Sequence, residues 1–311
     1  MALGLPRAVQ RDLMAFAPDI IHLSAPDWLG RSAQRYARRN GITVVASLHT
    51  RFETYLAYYG LGILRDSMER YLDRFYKDCD HILVPTPPIV AEFAERYGSR
   101  RVSIWSRGVD RAHFHPDLRD EVFRRSLGYT SQDVVPLFFG RLVLEKGLQV
   151  FVDAILQVRT AGRQVRPLIV GDGPASAWLA QRLPNANFLG HQEGVALGRA
   201  VASADVLINP SVTEAFGNVN LEAMASGLAI ISADVPSASA LIENGRTGLL
   251  VSPMSSEAYA TTLLELLADA ARRQALGRAA SLAANDYDWE KTLASVVHAY
   301  DICLHEGRPS H

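Results

Sequence analysis

Cysteine is scarce: Cys79 and Cys303, far apart and without spaced partners, are the only two in 311 residues. That excludes a disulfide framework and a thiolate zinc site and suits a reducing compartment, with both residues read as ordinary buried or half-buried thiols. An excess of charge of either sign is also lacking. Lys plus Arg number 32 against 33 Asp plus Glu, for a formal net charge of -1, so no global field draws the chain to nucleic acid or to an anionic membrane. Any attraction for anions must be local. No apolar run approaches the roughly 20 residues of a spanning helix, and "MALGLPRAVQRDLMAFAPD" lacks the apolar core of a signal peptide. The expected location is therefore the cytoplasm. Internal repeats and low-complexity segments are absent too.

What the sequence has in quantity is alternation. Short β-branched runs at 19–24, 42–48, 81–85, 101–106, 134–140, 166–171, 186–190, 205–210, 228–232 and 247–251 are separated by helical patterns, the signature of parallel α/β layers. A length of 311 residues favours two domains. Four runs precede residue 110 and six follow 130. Between them the polar, proline-bearing "RGVDRAHFHPDLRD" has neither periodicity and reads as the inter-domain connection. The division expected is a partial N-terminal domain at 1–112, a linker at 113–130, a second domain at 131–285, and a terminal helix at 286–311 that packs back on the first domain. In the first half, Leu64, Met68, Tyr71 and Phe75 share one face of a helical pattern whose other face mixes both signs of charge, which favours a core-facing helix over a membrane-surface one.

Three segments carry chemistry. In "FFGRLVLEKGLQVFVDAI" a strand ends at Gly140, and Arg141 and Lys146 follow before a helix begins. Cations there can hold a diphosphate in the crevice of an open parallel sheet, or be solvated loop charges. In "LIVGDGPA" the glycines, Gly171 among them beside Asp172, permit close backbone approach to a base or ribose, or form a plain tight turn. The segment is neither a dinucleotide fingerprint nor a P-loop. The third, "TEAFGNVNLEAMASGLAI", sets Glu214 and Glu222 around a turn that opens a helix. The amides of Phe216, Gly217, Asn218 and Val219 suit a phosphate. Glu222 can accept from a ribose diol and Glu214 from hydroxyls beyond the phosphates; alternatively both acids complement the helix dipole. His113 and His115 lack a third ligand, so no metal is assigned.

With Glu214 and Glu222 separated by seven residues, the segments "EAFG", "LEAMASG", "GRLVLEKG", "GDGP" and "DVPSASALIENGRTGLLV" resemble the nucleotide-binding half of family 4 retaining glycosyltransferases. The likeness spans residues 19 to 300 and is most specific over 134 to 251. Upstream, "APDIIHLSAPDWLG", "VVASLHTRFETYLAYYG", "HILVPTP" and "WSRGVDRAHFHP" are similar to GDP-mannose-dependent α-mannosyltransferases and sulfoquinovosyl-diacylglycerol synthases. The resemblance implies the GT-B fold: α/β, with two Rossmann-like domains facing a cleft. The part of the family pattern that precedes "APDIIH", with its glycine-rich loop, has no counterpart here, so the N-terminal domain is expected to be incomplete, a sheet of about four strands.

For the residues, the resemblance implies that Arg141 and Lys146, with Gly140, meet the donor diphosphate. The Phe216, Gly217 and Asn218 amides would meet the distal phosphate and sugar, with Gly171 and Asp172 also on the donor side. Glu214 would take the sugar hydroxyls and Glu222 the ribose, while His49 approaches the sugar from across the cleft. The implied activity is metal-independent, retaining transfer of a hexose, mannose from GDP-mannose, to a membrane lipid or glycan. It needs no cofactor and no nucleic acid, and would proceed with peripheral association at the inner face of the plasma membrane. The alternatives are a truncated sugar-nucleotide-binding module without transfer, or another GT-B enzyme such as a nucleotide-sugar epimerase or a phosphorylase. Aspartate pairs "DCD" and "DYD" suggest the metal triplet of the other glycosyltransferase fold, but neither follows a strand as that role requires.

Overall fold

Every apolar run above forms a strand in the computed structural model, which describes residues 4–51 and 64–305. These are β1 Ile20–Leu23, β2 Thr43–Ser47, β3 His81–Val84, β4 Val102–Ile104, β5 Pro136–Phe139, β6 Leu168–Val170, β7 Asn187–Phe188, β8 Val206–Asn209, β9 Ala229–Ala233 and β10 Leu249–Val251. All their pairings are parallel. Parallel strands are covered on both faces, which is why they read as nearly unbroken apolar runs. The chain divides into two units, one of Met1–Arg107 with Trp289–His311, the other of Gly108–Asp288.

In the first unit the sheet order is β1-β2-β3-β4. Successive side chains point to opposite faces, so one strand serves two cores. Val44, Ala46, Ile82 and Val84 face a core with Phe75, Tyr76, Phe93 and Tyr97, contributed by helices Arg65–Lys77 and Pro87–Tyr97. Val45 and Leu83 face the other way, onto Val296 and Ala299 of the terminal helix Trp289–His305. Phe75 is buried and Met68 and Tyr71 pack against the same core, while Leu64 is exposed at the helix start. Cys79 lies in this core and Cys303 is half-buried. Burial pushes the Cys79 thiol up to about 12, which leaves it unreactive.

The second unit has the order β10-β9-β8-β5-β6-β7. Its two cores again split alternate residues: Leu137, Phe139, Leu168 and Leu207 on one face, Phe138, Ile169, Val206 and Ile208 on the other. Helices Leu148–Thr160 and Ser256–Ala268 cover the latter face.

The stretch 113–130 is not a free connection. Phe114 is buried, Asp120 caps the short helix Glu121–Ser126, and Arg124 is almost fully buried within the second unit. The Arg124 guanidinium donates to the carbonyls of Ser203 at 2.6 Å and Asp133 at 2.7 Å and to Asp205 at 3.1 Å. The segment is polar because its charges tie it down, and the units part at Gly108 and Trp289 instead. The aspartates of "DCD" are structural as well: Asp78 pairs with Arg31 and Arg38, and Asp80 accepts from Val44 N–H at 2.8 Å. No helix among the described residues is long and apolar enough to cross a membrane.

Candidate active site

The order of the second sheet reverses at its first strand. β6 and β7 progress to one side of β5, and β8, β9 and β10 to the other. The helices that follow β5 and β8 lie on opposite faces of the sheet, which makes the carboxyl ends of these two strands the switch point at which open α/β sheets bind ligands. Both sequence segments with paired charges are the loops leaving these ends.

After β5 the loop Gly140–Gly147 ends where Gly147, at φ +72°, begins helix Leu148–Thr160. A Cβ there would sit 2.7 Å from the Pro210 carbonyl oxygen of the β8 loop, so only glycine lets the two loops touch. Lys146 immediately precedes it, and its ammonium pairs with the Glu214 carboxylate of the β8 loop. The two side chains are only 16% and 20% exposed. This pair closes a continuous polar chain through the unit. Ser211 Oγ donates to Glu214 at 3.2 Å and the Ser211 amide to Asn209 Oδ1 at 3.2 Å. Asn209 Nδ2 donates to Asn220 at 2.9 Å, and Asn220 Nδ2 to Ser232 Oγ of β9 at 3.1 Å. A buried network with its partners in place fixes its members' geometry. Ser211, Asn209, Asn220 and Ser232 escaped the sequence reading, although two asparagines in a buried strand-turn-helix segment were its visible trace.

The helix of this segment runs Asn218–Ala225 from Gly217 at φ +96°. Phe216 is buried and stacks edge-on with Tyr287, ring centroids 6.0 Å apart. That anchors the turn by its side chain and leaves its backbone at the helix start. Intrahelical bonding begins with the Asn220 and Leu221 amides, both to Gly217 oxygen, so the amides of Gly217, Asn218 and Val219 form the anion-friendly end. Glu222 is the fifth helical residue. Burial alone pushes its carboxyl up to about 7.

The remaining donor-side candidates are less engaged. Arg141 is exposed, its guanidinium 4.0 Å from Glu145. Asp172 spends a carboxylate oxygen on its own turn, accepting from Ser176 Oγ at 2.8 Å and Gly173 N–H at 2.7 Å; those bonds hold it below the usual carboxylate range. The close approach that its neighbouring glycines allow is to protein. A Cβ on Gly171, at φ +130°, would overlap the Gly140 carbonyl, and one on Gly173 would lie 2.5 Å from the Leu142 oxygen. The β5 and β6 loops are thereby bound together, with Leu142 N–H donating to Asp172 oxygen at 2.9 Å.

His49 belongs to the first unit, two residues beyond β2. Its Nε2 is 2.7 Å from Ser47 Oγ, Arg107 donates to its Nδ1, and Trp105 packs edge-on at 5.2 Å. Burial, and then the Arg107 charge, lower its pKa to about 4. Arg107, which holds the ring, also escaped the sequence reading. His113 hydrogen-bonds Asp110 at 2.6 Å, and among the described residues no group of three or more His, Cys, Asp or Glu could hold a metal ion.

The "Glycosyl transferases group 1" family model matches residues 133–269, and the "Glycosyltransferase Family 4" model residues 1–113. A GDP-mannose-dependent alpha-mannosyltransferase of Mycobacterium tuberculosis is 34% identical over 286 residues, covering 89% of this chain and 74% of its own. The sulfoquinovosyl transferase SQD2 of Arabidopsis thaliana is 30% identical over 305 residues, covering 95% of this chain and 59% of its own. The solved sucrose-phosphate synthase of Thermosynechococcus elongatus matches with a TM-score of 0.81 at 20% identity, over 96% of this chain and 77% of that one. That likeness shows the fold, which is GT-B. A Rossmann-ordered sheet with charged loops at its switch point, matched by these models and relatives, identifies the chain as a glycosyltransferase belonging to family 4.

Proposed function

We propose that the chain is a retaining, metal-independent hexosyltransferase that takes mannose from GDP-mannose and delivers it to a lipid or glycan acceptor at the membrane surface. The observation that carries this reading is the Lys146–Glu214 pair, which spans the switch-point loops directly beside the helix start at Gly217. Lys146 and Glu214 neutralise each other until a ligand arrives that offers both an anion and hydroxyls. A diphosphate draws the ammonium toward itself and the helix amides, and the freed carboxylate accepts from hydroxyls of the sugar. Lys146, Arg141 and the Phe216, Gly217 and Asn218 amides then supply positive counter-charge as the nucleoside diphosphate departs, the step at which preorganised donors contribute most.

The choice of mannose and guanosine rests on the relatives' names and tests directly. Calorimetric titration is expected to give tighter binding for GDP-mannose than for UDP-glucose. A preference for UDP-glucose overturns the donor assignment, and binding of neither overturns the function.

Glu222 as the ribose acceptor makes a further expectation. A carboxyl with a pKa of about 7 is mostly ionised at pH 8 and mostly neutral at pH 6, and only the carboxylate accepts from both hydroxyls of a diol. Affinity for GDP should therefore fall about tenfold between pH 8 and pH 6, and Glu222→Gln should lose the Glu222-dependent part of that change. Identical pH dependence in both proteins removes Glu222 from the ribose site.

A further inference from the structure

The imidazole of His49 is held at both nitrogens. Arg107 donates from a terminal guanidinium nitrogen to Nδ1. A guanidinium has no acceptor, so Nδ1 must offer its lone pair. The single ring proton then sits on Nε2 and is donated to Ser47 Oγ at 2.7 Å. Arg107 is itself fixed: its guanidinium lies 5.1 Å over the Trp105 ring and donates to the carbonyl of Ser106 at 3.3 Å. Trp105 also packs edge-on against His49. Arg107, Trp105 and His49 therefore form one stack at the ends of β2 and β4, and 58 residues of sequence separate the cation from the histidine it holds.

We propose that Arg107 is a positioning residue for His49, locking its imidazole as the neutral Nε2–H tautomer so that this residue takes up no proton during sugar transfer. The proposal rests on the reading of His49 as a sugar-facing residue. Its chemical sense is electrostatic: positive charge develops on the sugar as the diphosphate leaves, and an imidazolium beside it would oppose that charge. The groups facing His49 act together. Burial contributes most to keeping the ring neutral, the Arg107 charge adds to it, and His22 on β1 adds less. Burial lowers the His22 pKa as well, and its Nδ1 lies 2.5 Å from the Tyr300 hydroxyl of the terminal helix. Proton transfer in the reaction would then belong to other groups, the leaving phosphate among them.

The test uses the whole chain labelled with 15N-histidine, the His49 signals being assigned by comparison with His49→Gln. Long-range 1H–15N correlation should show wild-type His49 as the neutral Nε2–H form from pH 7.5 to 5.5. In Arg107→Leu an Nδ1–H population should appear and the ring should begin to titrate in that range. Its pKa rises from about 4 toward the ordinary 6.5 without reaching it, because burial remains. In Arg107→Gln, whose amide N–H can donate to Nδ1, the wild-type tautomer should return. GDP-mannose hydrolysis is read in parallel. Arg107→Leu should lose about tenfold or more in kcat with little change in KM and gain an acidic limb, and Arg107→Gln should recover most of the loss. An unchanged tautomer in Arg107→Leu, or a wild-type ring that titrates between pH 7.5 and 5.5, overturns the proposal. If the tautomer responds as expected but wild-type protein hydrolyses no GDP-mannose, the functional reading fails and the Arg107–His49 coupling stands.

Discussion

Lys146→Ala should lower kcat/KM for hexosyl transfer by about 10²-fold or more, and Glu214→Ala should do the same. The reason lies in how the pair is placed. Lys146 comes from the loop after β5 and Glu214 from the loop after β8, so the pair joins the two loops. Each side chain is largely shielded from solvent, so removing one leaves the other's charge poorly compensated. The single variants should lose about 1–3 kcal/mol of stability, detectable as a lower urea midpoint with an unchanged slope. The double variant Lys146→Ala/Glu214→Ala should be less destabilised than the sum of the two and equally inactive. That separates a ligand-gripping pair from a merely structural one, since a structural pair would regain activity as stability returned. Near-wild-type turnover in either single variant refutes the assignment.

Gly171→Ala is expected to have the largest effect on stability, about 3 kcal/mol or more. Two independent costs combine there. The backbone holds φ at +130°, which L-residues rarely adopt, and the added Cβ would overlap the Gly140 carbonyl oxygen. The obstacle is backbone on both sides, so no side-chain rotation relieves it. Separating the β6 turn from the β5 loop would also break the geometry in which Leu142 N–H donates to Asp172 oxygen and Ala175 N–H to Leu142 oxygen. Donor affinity should therefore fall along with stability. Gly162→Ala serves as control: its φ is +82° but nothing lies within 4 Å of a Cβ there, so only the backbone cost applies. Equal unfolding midpoints for the two variants would show that the close approach at Gly171 carries no cost.

Much of the second unit was legible in its sequence because its strands are apolar on both faces and its loops carry their charges at strand ends. All six of its apolar runs form strands, and the two loops whose charges stand out in the sequence are those that meet at the Lys146–Glu214 pair. What stayed hidden has physical causes. The stretch 113–130 is polar without being solvated: Arg124 is buried through carbonyls and a carboxylate contributed by residues up to 81 positions away. The glycines of "GDGP" signal close approach but not to what, and the partner is protein backbone. The network from Glu214 to Ser232 uses short polar side chains that look unremarkable in a strand or helix until the fold places them together. Arg107 follows the same rule, since its distinction depends wholly on His49 in another strand's loop.

The central claim is that a sugar nucleotide is held at the switch point of β5 and β8 by separating the Lys146–Glu214 pair. Its most direct test is calorimetric titration of GDP-mannose into the wild-type chain, Lys146→Ala and Glu214→Ala, each shown to be folded. The account predicts binding by the wild type and at least about tenfold weaker binding by both variants, the loss of one charge-assisted contact. Equal affinity in all three proteins would contradict it.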